Sequence, residues 1–290
     1  MHRVFLLLLA IAALAPPRAT EPTMLRVERS SADDLELGGE LKGLPPGSTR
    51  YVRYGDLLRL PQETYTVSDD SNLQKKSEIS GISLRTLARF FGAAPDDAMI
   101  VAISYDQYRT NYPRDYVAEH HPLLVLRING QLRDHWPQSE NGGPLGPYLI
   151  SHPFFKPAFK VLSHEDEPQI PFGVTRIELR RESRVFGAIR PPGDWPADSP
   201  VAQGYAIARQ DCFRCHNMGA EGGTMAGRSW LQLADRARDN GKRFRQTICN
   251  PASVTAGAKM PPHMGYDDAT LDALTAYFRT FSSAGKGSPR

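Results

Sequence analysis

The chain has 290 residues, room for one or two domains with proper cores. Its 35 basic and 32 acidic side chains leave a net charge of +3, too mild for a nucleic-acid-binding surface, and no Lys/Arg block changes that. Twenty-four prolines and 24 glycines are spread along the chain, which points to a loop-rich fold and not to disorder.

Residues 1–19 read as an export signal. His2 and Arg3 form a basic start, and the apolar run from Val4 to Leu14 is too short to span a bilayer. Ala13-Leu14-Ala15 and Ala19 offer alternative cleavage positions; left uncleaved, the segment would anchor the chain to a membrane. Either way the chain is expected outside the cytoplasm, in a periplasmic location. Residues 20–50 are polar and rich in Gly and Pro (Gly38-Gly39, Pro45-Pro46-Gly47), an irregular lead-in with at most one short strand.

An ordered domain is expected over 51–190. Ser83 caps a helix whose apolar residues Leu84, Leu87, Ala88 and Phe91 fall at i, i+3, i+4 and i+7, and Gly92 ends it. Ala98 to Tyr105 is an apolar, β-branched run that predicts a buried strand. Leu123 to Ile128 predicts a second, followed by an Asn129-Gly130 turn. Val174 to Arg180 alternates and predicts a half-buried strand. The sum is mixed α+β.

This element order, with the short segment Arg114 to Glu119 and the glycine-rich stretch Gly142 to Ile150, resembles the molybdopterin-binding domain of the sulfite-oxidase-like fold. In that family a cysteine thiolate ligates molybdenum. Here the first cysteine is Cys212. The resemblance therefore implies a domain that keeps the fold as a binding or docking module without molybdenum, since a soft metal centre without its thiolate is a different centre. The same region holds His120-His121, His135, His152 and His164. No pair has the i, i+4 spacing of a helical metal site, so surface or hydrogen-bonded imidazoles are expected. Tyr105, Tyr108, Tyr112, Tyr116 and Trp136 fall around the cofactor-side loops that the resemblance implies; core or rim packing is expected of them, with pocket lining the alternative.

Pro191 to Pro200 contains four prolines, which excludes a continuing helix or central strand and predicts a stiff linker between two domains. Beyond it lies Cys212-Phe213-Arg214-Cys215-His216. Two cysteines two residues apart with histidine next is the c-type haem attachment signature. One turn of chain sets both thiols toward one porphyrin, and the histidine falls beneath the iron. A zinc site built from Cys212, Cys215, Cys249 and His216 or His263 is the competing assignment, but Cys249 stands alone without a second close pair. A thioredoxin-like motif lacks its βαβ surroundings.

Residues 201–283 resemble a class I cytochrome c domain, with an all-α fold. Val201 to Asp211 predicts a first helix, capped by Ser199, and Asp268 to Phe281 the last. Helices are also expected over Trp230 to Arg238 and about Lys242 to Cys249. The resemblance implies that the first and last helices cross closely. Gly204 and Ala208 would admit Leu274 and Tyr277 there. It implies one covalent haem c on Cys212 and Cys215, with His216 as one axial iron ligand and Met260, in Lys259-Met260-Pro261-Pro262, as the other. His263 and Met264 are rivals for that second place. Met218 and Met225 are expected at the ring edge. Asn250-Pro251 resembles the family's N-P turn, with the Pro251 carbonyl or a nearby group accepting from the His216 ring. Cys249 is expected buried and inert. Residues 284–290 form a flexible tail.

These features lead to the expectation of an exported electron-transfer protein. It would serve a periplasmic redox partner, a dehydrogenase or oxidase, with the N-terminal domain as docking module. The alternative is an enzyme whose N-terminal domain oxidises a small substrate and passes electrons to its own haem. A third is a sensor or scaffold.

Overall fold

The computed structural model describes residues 24–73, 75–94, 98–139, 142–153, 160–162, 164–165 and 169–282. The export signal expected over 1–19 and the tail over 284–290 lie outside them. The fold is mixed α/β, with strands grouped before residue 181 and helices dominating after it.

Five strands form the first sheet: β1 (Leu35–Gly39), β2 (Arg50–Val52), two central strands described next, and their neighbour. A second sheet is built on β3 (Glu63–Val67) and β4 (Ser77–Ser83). The first sheet continues with β5 (Met99–Ser104) and β6 (Arg109–Tyr112). The second continues with β7 (Leu123–Ile128), β8 (Gln131–Leu132) and β9 (Leu149–Ser151). A small hairpin pairs β10 (Lys160–Val161) with β11 (His164–Glu165), and β12 (Val174–Arg180) returns to the first sheet. The first sheet runs in the order β2-β1-β12-β5-β6, with β1 parallel to β12 and the other pairs antiparallel. The second runs β3-β4-β7-β8, with β9 also on β7. Helices α1 (Tyr54–Leu57), α2 (Leu84–Phe91) and α3 (Arg114–His120) lie among these strands.

Ser83 caps α2 as expected, its hydroxyl accepting from Thr86 N at 3.3 Å. Gly92 ends that helix in extended, not left-handed, backbone. The stretch expected to be an irregular lead-in holds β1, where Leu35 and Leu37 are buried in the main core.

β5 explains the architecture. Its residues are apolar without interruption because both faces are covered. Ile100 and Ala102 point into the core shared with Leu35, Leu37, Leu124, Leu126 and Ile177. Met99 and Val101 point the other way, into a second cluster with Ile207, Phe213, Trp230 and Tyr277. Side chains alternate along a strand, so one six-residue segment belongs to two cores.

The second cluster is supplied by the later elements: α4 (Glu182–Val185), α5 (Pro200–Gln210), α6 (Trp230–Asp239), α7 (Gly241–Cys249), α8 (Pro251–Val254) and α9 (Asp268–Ser282). Ser199 caps α5 with Pro200 in its first turn, and Ser229 with Gln232 forms a capping box on α6. Asn240 and Asn250 cap α7 and α8. α5 and α9 cross at Gly204, where a Cβ would stand 2.1 Å from Ala273 O and 2.7 Å from Tyr277 Cβ.

One expectation needs correction: the later segment is not all-α, since β13 (Asn217–Met218) pairs with β14 (Glu221–Gly222). Residues 191–199 hold neither helix nor strand, and side chains on either side of them share one cluster. Val185, Phe186 and Ile189 continue the cluster from β5 to α5, and Tyr277 Oη donates to Ile189 O at 2.6 Å. Among the described residues no helix is long and apolar enough to cross a membrane.

Candidate haem-binding site

Asp211 ends α5, and Cys212–Arg214 forms one 3₁₀ turn. Cys215 N and His216 N both donate to Cys212 O, at 3.3 and 3.0 Å. This turn brings both thiols and the imidazole to one cavity. Phe213 points away from it into the core, where its ring meets Trp230 edge-on at 5.3 Å between centroids. The chain then folds back tightly: Gly223 N donates to Phe213 O, and a Cβ on Gly223 would stand 1.8 Å from Arg214 O. Only glycine fits there.

The cavity is lined by Cys212, Cys215, His216 and Met260, with Leu233, Phe244, Ile248, Pro261 and Phe278 as its apolar walls. Both thiols are free of disulfides and half-buried. Burial raises the Cys212 thiol well above the ordinary range and pushes Cys215 up to about 11. His216 is buried, which lowers its pKa and favours the neutral imidazole a metal requires. Its Nδ1 hydrogen-bonds Arg228 O at 2.7 Å, so Nδ1 carries the proton and Nε2 is the nitrogen left for a metal. The acceptor expected at Pro251 is therefore supplied by Arg228, which directly precedes the Ser229 cap of α6.

Met260 lies half-buried against the same cluster, in the loop before α9. Of its rivals, His263 also lines the cavity, and its backbone N donates to Ile248 O. Met264 is 75% exposed and does not line it. Met218 packs on the cluster and Met225 places its sulfur 4.0 Å from Cys215 Sγ. Cys249 is half-buried at the cluster edge, not fully buried as expected, and is not part of the cavity wall.

The residues fit a covalently held haem. Two thiols, one imidazole nitrogen and one thioether share an apolar cavity. Arg228 and Arg236 also line it, and burial together with Arg228 and Arg243 lowers the pKa of Arg236. Positive charge at the cavity wall suits the carboxylates of a porphyrin. Nothing in the local sequence marks these arginines as cavity residues, whereas Tyr108, expected in core or rim packing, lines the cavity from the sheet half. The zinc alternative does not assemble, since no group of three or more His, Cys, Asp or Glu among the described residues could hold a metal ion. Molybdenum of the sulfite-oxidase type does not fit the sheet half, which holds no cysteine.

The histidines of the sheet half sit elsewhere. His120 and His152 are buried, with ring centroids 6.0 Å apart, and Tyr116 Oη is 3.0 Å from His152 Nε2. Burial, with His120 nearby, lowers the pKa of His152 to about 3.

No protein-family model matches the chain, and no curated protein matches its sequence. Among solved structures it is similar to the crystal structure of the sulfane dehydrogenase SoxCD from Paracoccus pantotrophus. The identity is 17% and the TM-score 0.35, over 53% of this chain and 40% of that one. A likeness of that size carries no argument about function.

Proposed function

We propose that this chain is an exported mono-haem c-type cytochrome that passes single electrons between periplasmic redox partners. Its C-terminal helical segment is the cytochrome unit. Cys212 and Cys215 would hold the porphyrin through thioethers, and His216 and Met260 would ligate its iron. Bound in this way, haem c supplies a one-electron couple. The protein fixes the imidazole through Arg228 O and would surround the ring with apolar side chains. The sheet half serves as the docking module for a dehydrogenase or oxidase. The observation that carries this reading is the convergence of Cys212, Cys215, His216 and Met260 on one apolar cavity. The test is the reduced-minus-oxidised spectrum of the purified protein. A sharp low-spin α-band unaffected by carbon monoxide is expected; high-spin features or rapid ligand binding contradict it.

A second reading, an enzyme, rests on a cavity of about 310 Å³ between α3 and α5, lined by Asn111, Tyr116, His120, Gln169, Arg209 and Gln210. α5 runs from this cavity directly to Cys212. A small substrate oxidised there would pass its electrons to the haem. Stoichiometric molybdenum or another redox cofactor beside iron in the purified protein supports this second reading; iron alone supports the first.

A further inference from the structure

The haem cavity is not built by the helical half alone. The turn between β5 and β6 brings Tyr108 to its wall, beside Cys215 and Arg214. Arg214 Nη1 donates to Tyr108 Oη at 3.2 Å, while its Nε donates to Gln210 O at 2.7 Å. Its Nη2 stands 3.7 Å from Asp211 Oδ1, and both side chains are largely buried. Asp211 Oδ2 in turn accepts from Tyr266 Oη at 2.6 Å. Tyr266 closes the segment that carries Met260, its backbone N donating to His263 O. A polar chain therefore runs from Tyr108 through Arg214 and Asp211 to Tyr266. It joins three parts of the fold: the sheet half, the cysteine turn and the methionine loop.

We propose that Tyr108 is a positioning residue for Met260: through Arg214, Asp211 and Tyr266, the sheet half holds the methionine loop against the haem. The proposal rests on the cytochrome reading and goes beyond it, because it makes the sheet half part of the redox site. The loop is otherwise held by His263 N, which donates to Ile248 O at 3.0 Å, and by Met260 packed on the helical cluster. Lys259, Pro261, Pro262, Met264 and Gly265 are exposed. An Arg214 fixed at both ends gives Asp211 a fixed partner, and Asp211 then gives Tyr266 one.

The test uses the full-length, haem-loaded protein and two readouts: the midpoint potential and the rate at which imidazole binds the ferric protein. Tyr108→Phe keeps the ring in the wall and removes the hydroxyl. Its imidazole-binding rate is expected to rise about tenfold, the size of a lost hydrogen bond to a charged partner, with a fall in midpoint potential. Tyr266→Phe cuts the same chain at its other end and is expected to act in the same direction. Tyr105→Phe, on an exposed ring of the same turn, is expected to change neither readout. Tyr108→Phe and Tyr266→Phe proteins that match the wild type in both overturn the proposal while leaving the cytochrome reading intact. Purified wild type without covalent haem overturns both.

Discussion

Arg109 on β6 and Glu221 on β14 meet at 2.8 Å with side chains 6% and 11% exposed, a buried ion pair between residues far apart in sequence. Arg180 on β12 joins the same carboxylate and also Glu178, which Arg176 reaches from its other oxygen. The segment just after the cysteine turn is thus clamped to the edge of the sheet. Removing one member of such a pair leaves a charge buried without compensation. Glu221→Ala, which takes its direct partner from the buried Arg109, should cost about 3–5 kcal/mol of stability, measured by chemical denaturation. One cooperative transition that covers both halves is expected in the wild type.

The crossing of α5 and α9 is equally specific. Gly204 lies against Ala273 O, so any side chain must push the helices apart. Gly204→Val should destabilise by about 1–3 kcal/mol through overpacking. Gly227→Ala, where a Cβ meets nothing within 4 Å, serves as the control. Thermal unfolding of both variants checks this.

Glu178 gives a pH dependence with a definite sign. Burial pushes its carboxyl up, but Arg176, Arg180 and Arg109 outweigh burial and hold it below its ordinary value of 4.5. A depressed carboxylate contributes its full stability above that ordinary value, and the contribution is lost as pH falls through the lower folded-state value. Stability should therefore decline below about pH 4.5. Glu178→Gln should be less stable near neutral pH and show a shallower acid limb, as read from denaturant midpoints across an acid pH series.

Met260 and His263 both face the cavity, so ligation can be assigned by substitution. With Met260 as the second ligand, Met260→Ala opens the iron, and the reduced protein binds carbon monoxide. His263→Ala and Met264→Ala remain insensitive to it. The reverse pattern for His263 would reassign the ligand.

The legible parts of this chain are those whose pattern is local. The cap at Ser83, the stripe of α2, the apolar runs of β5 and β7 and the helices around the cysteine turn each declare themselves within a dozen residues. β1 does not. Leu35-Glu36-Leu37-Gly38-Gly39 is short and glycine-rich, and it becomes a central strand only through parallel pairing with the distant β12. The same holds at the candidate site. Cys212, Cys215, His216 and Met260 could be named from spacing and resemblance. Arg228 as the partner of His216, and Tyr108 as part of the wall, depend on how remote segments return to one place. The uninterrupted apolar character of β5 signals a buried strand, but not that one of its faces is covered by the helices around the cysteine turn.

The most direct measurement is the mass of the purified polypeptide unfolded in denaturant, taken with its visible absorption. A chain heavier than its mature amino acids by one iron porphyrin, still coloured after unfolding, is expected, and a Cys212→Ser, Cys215→Ser double variant should lose both properties. A wild-type chain that weighs only its amino acids and releases all its colour would contradict covalent haem on Cys212 and Cys215.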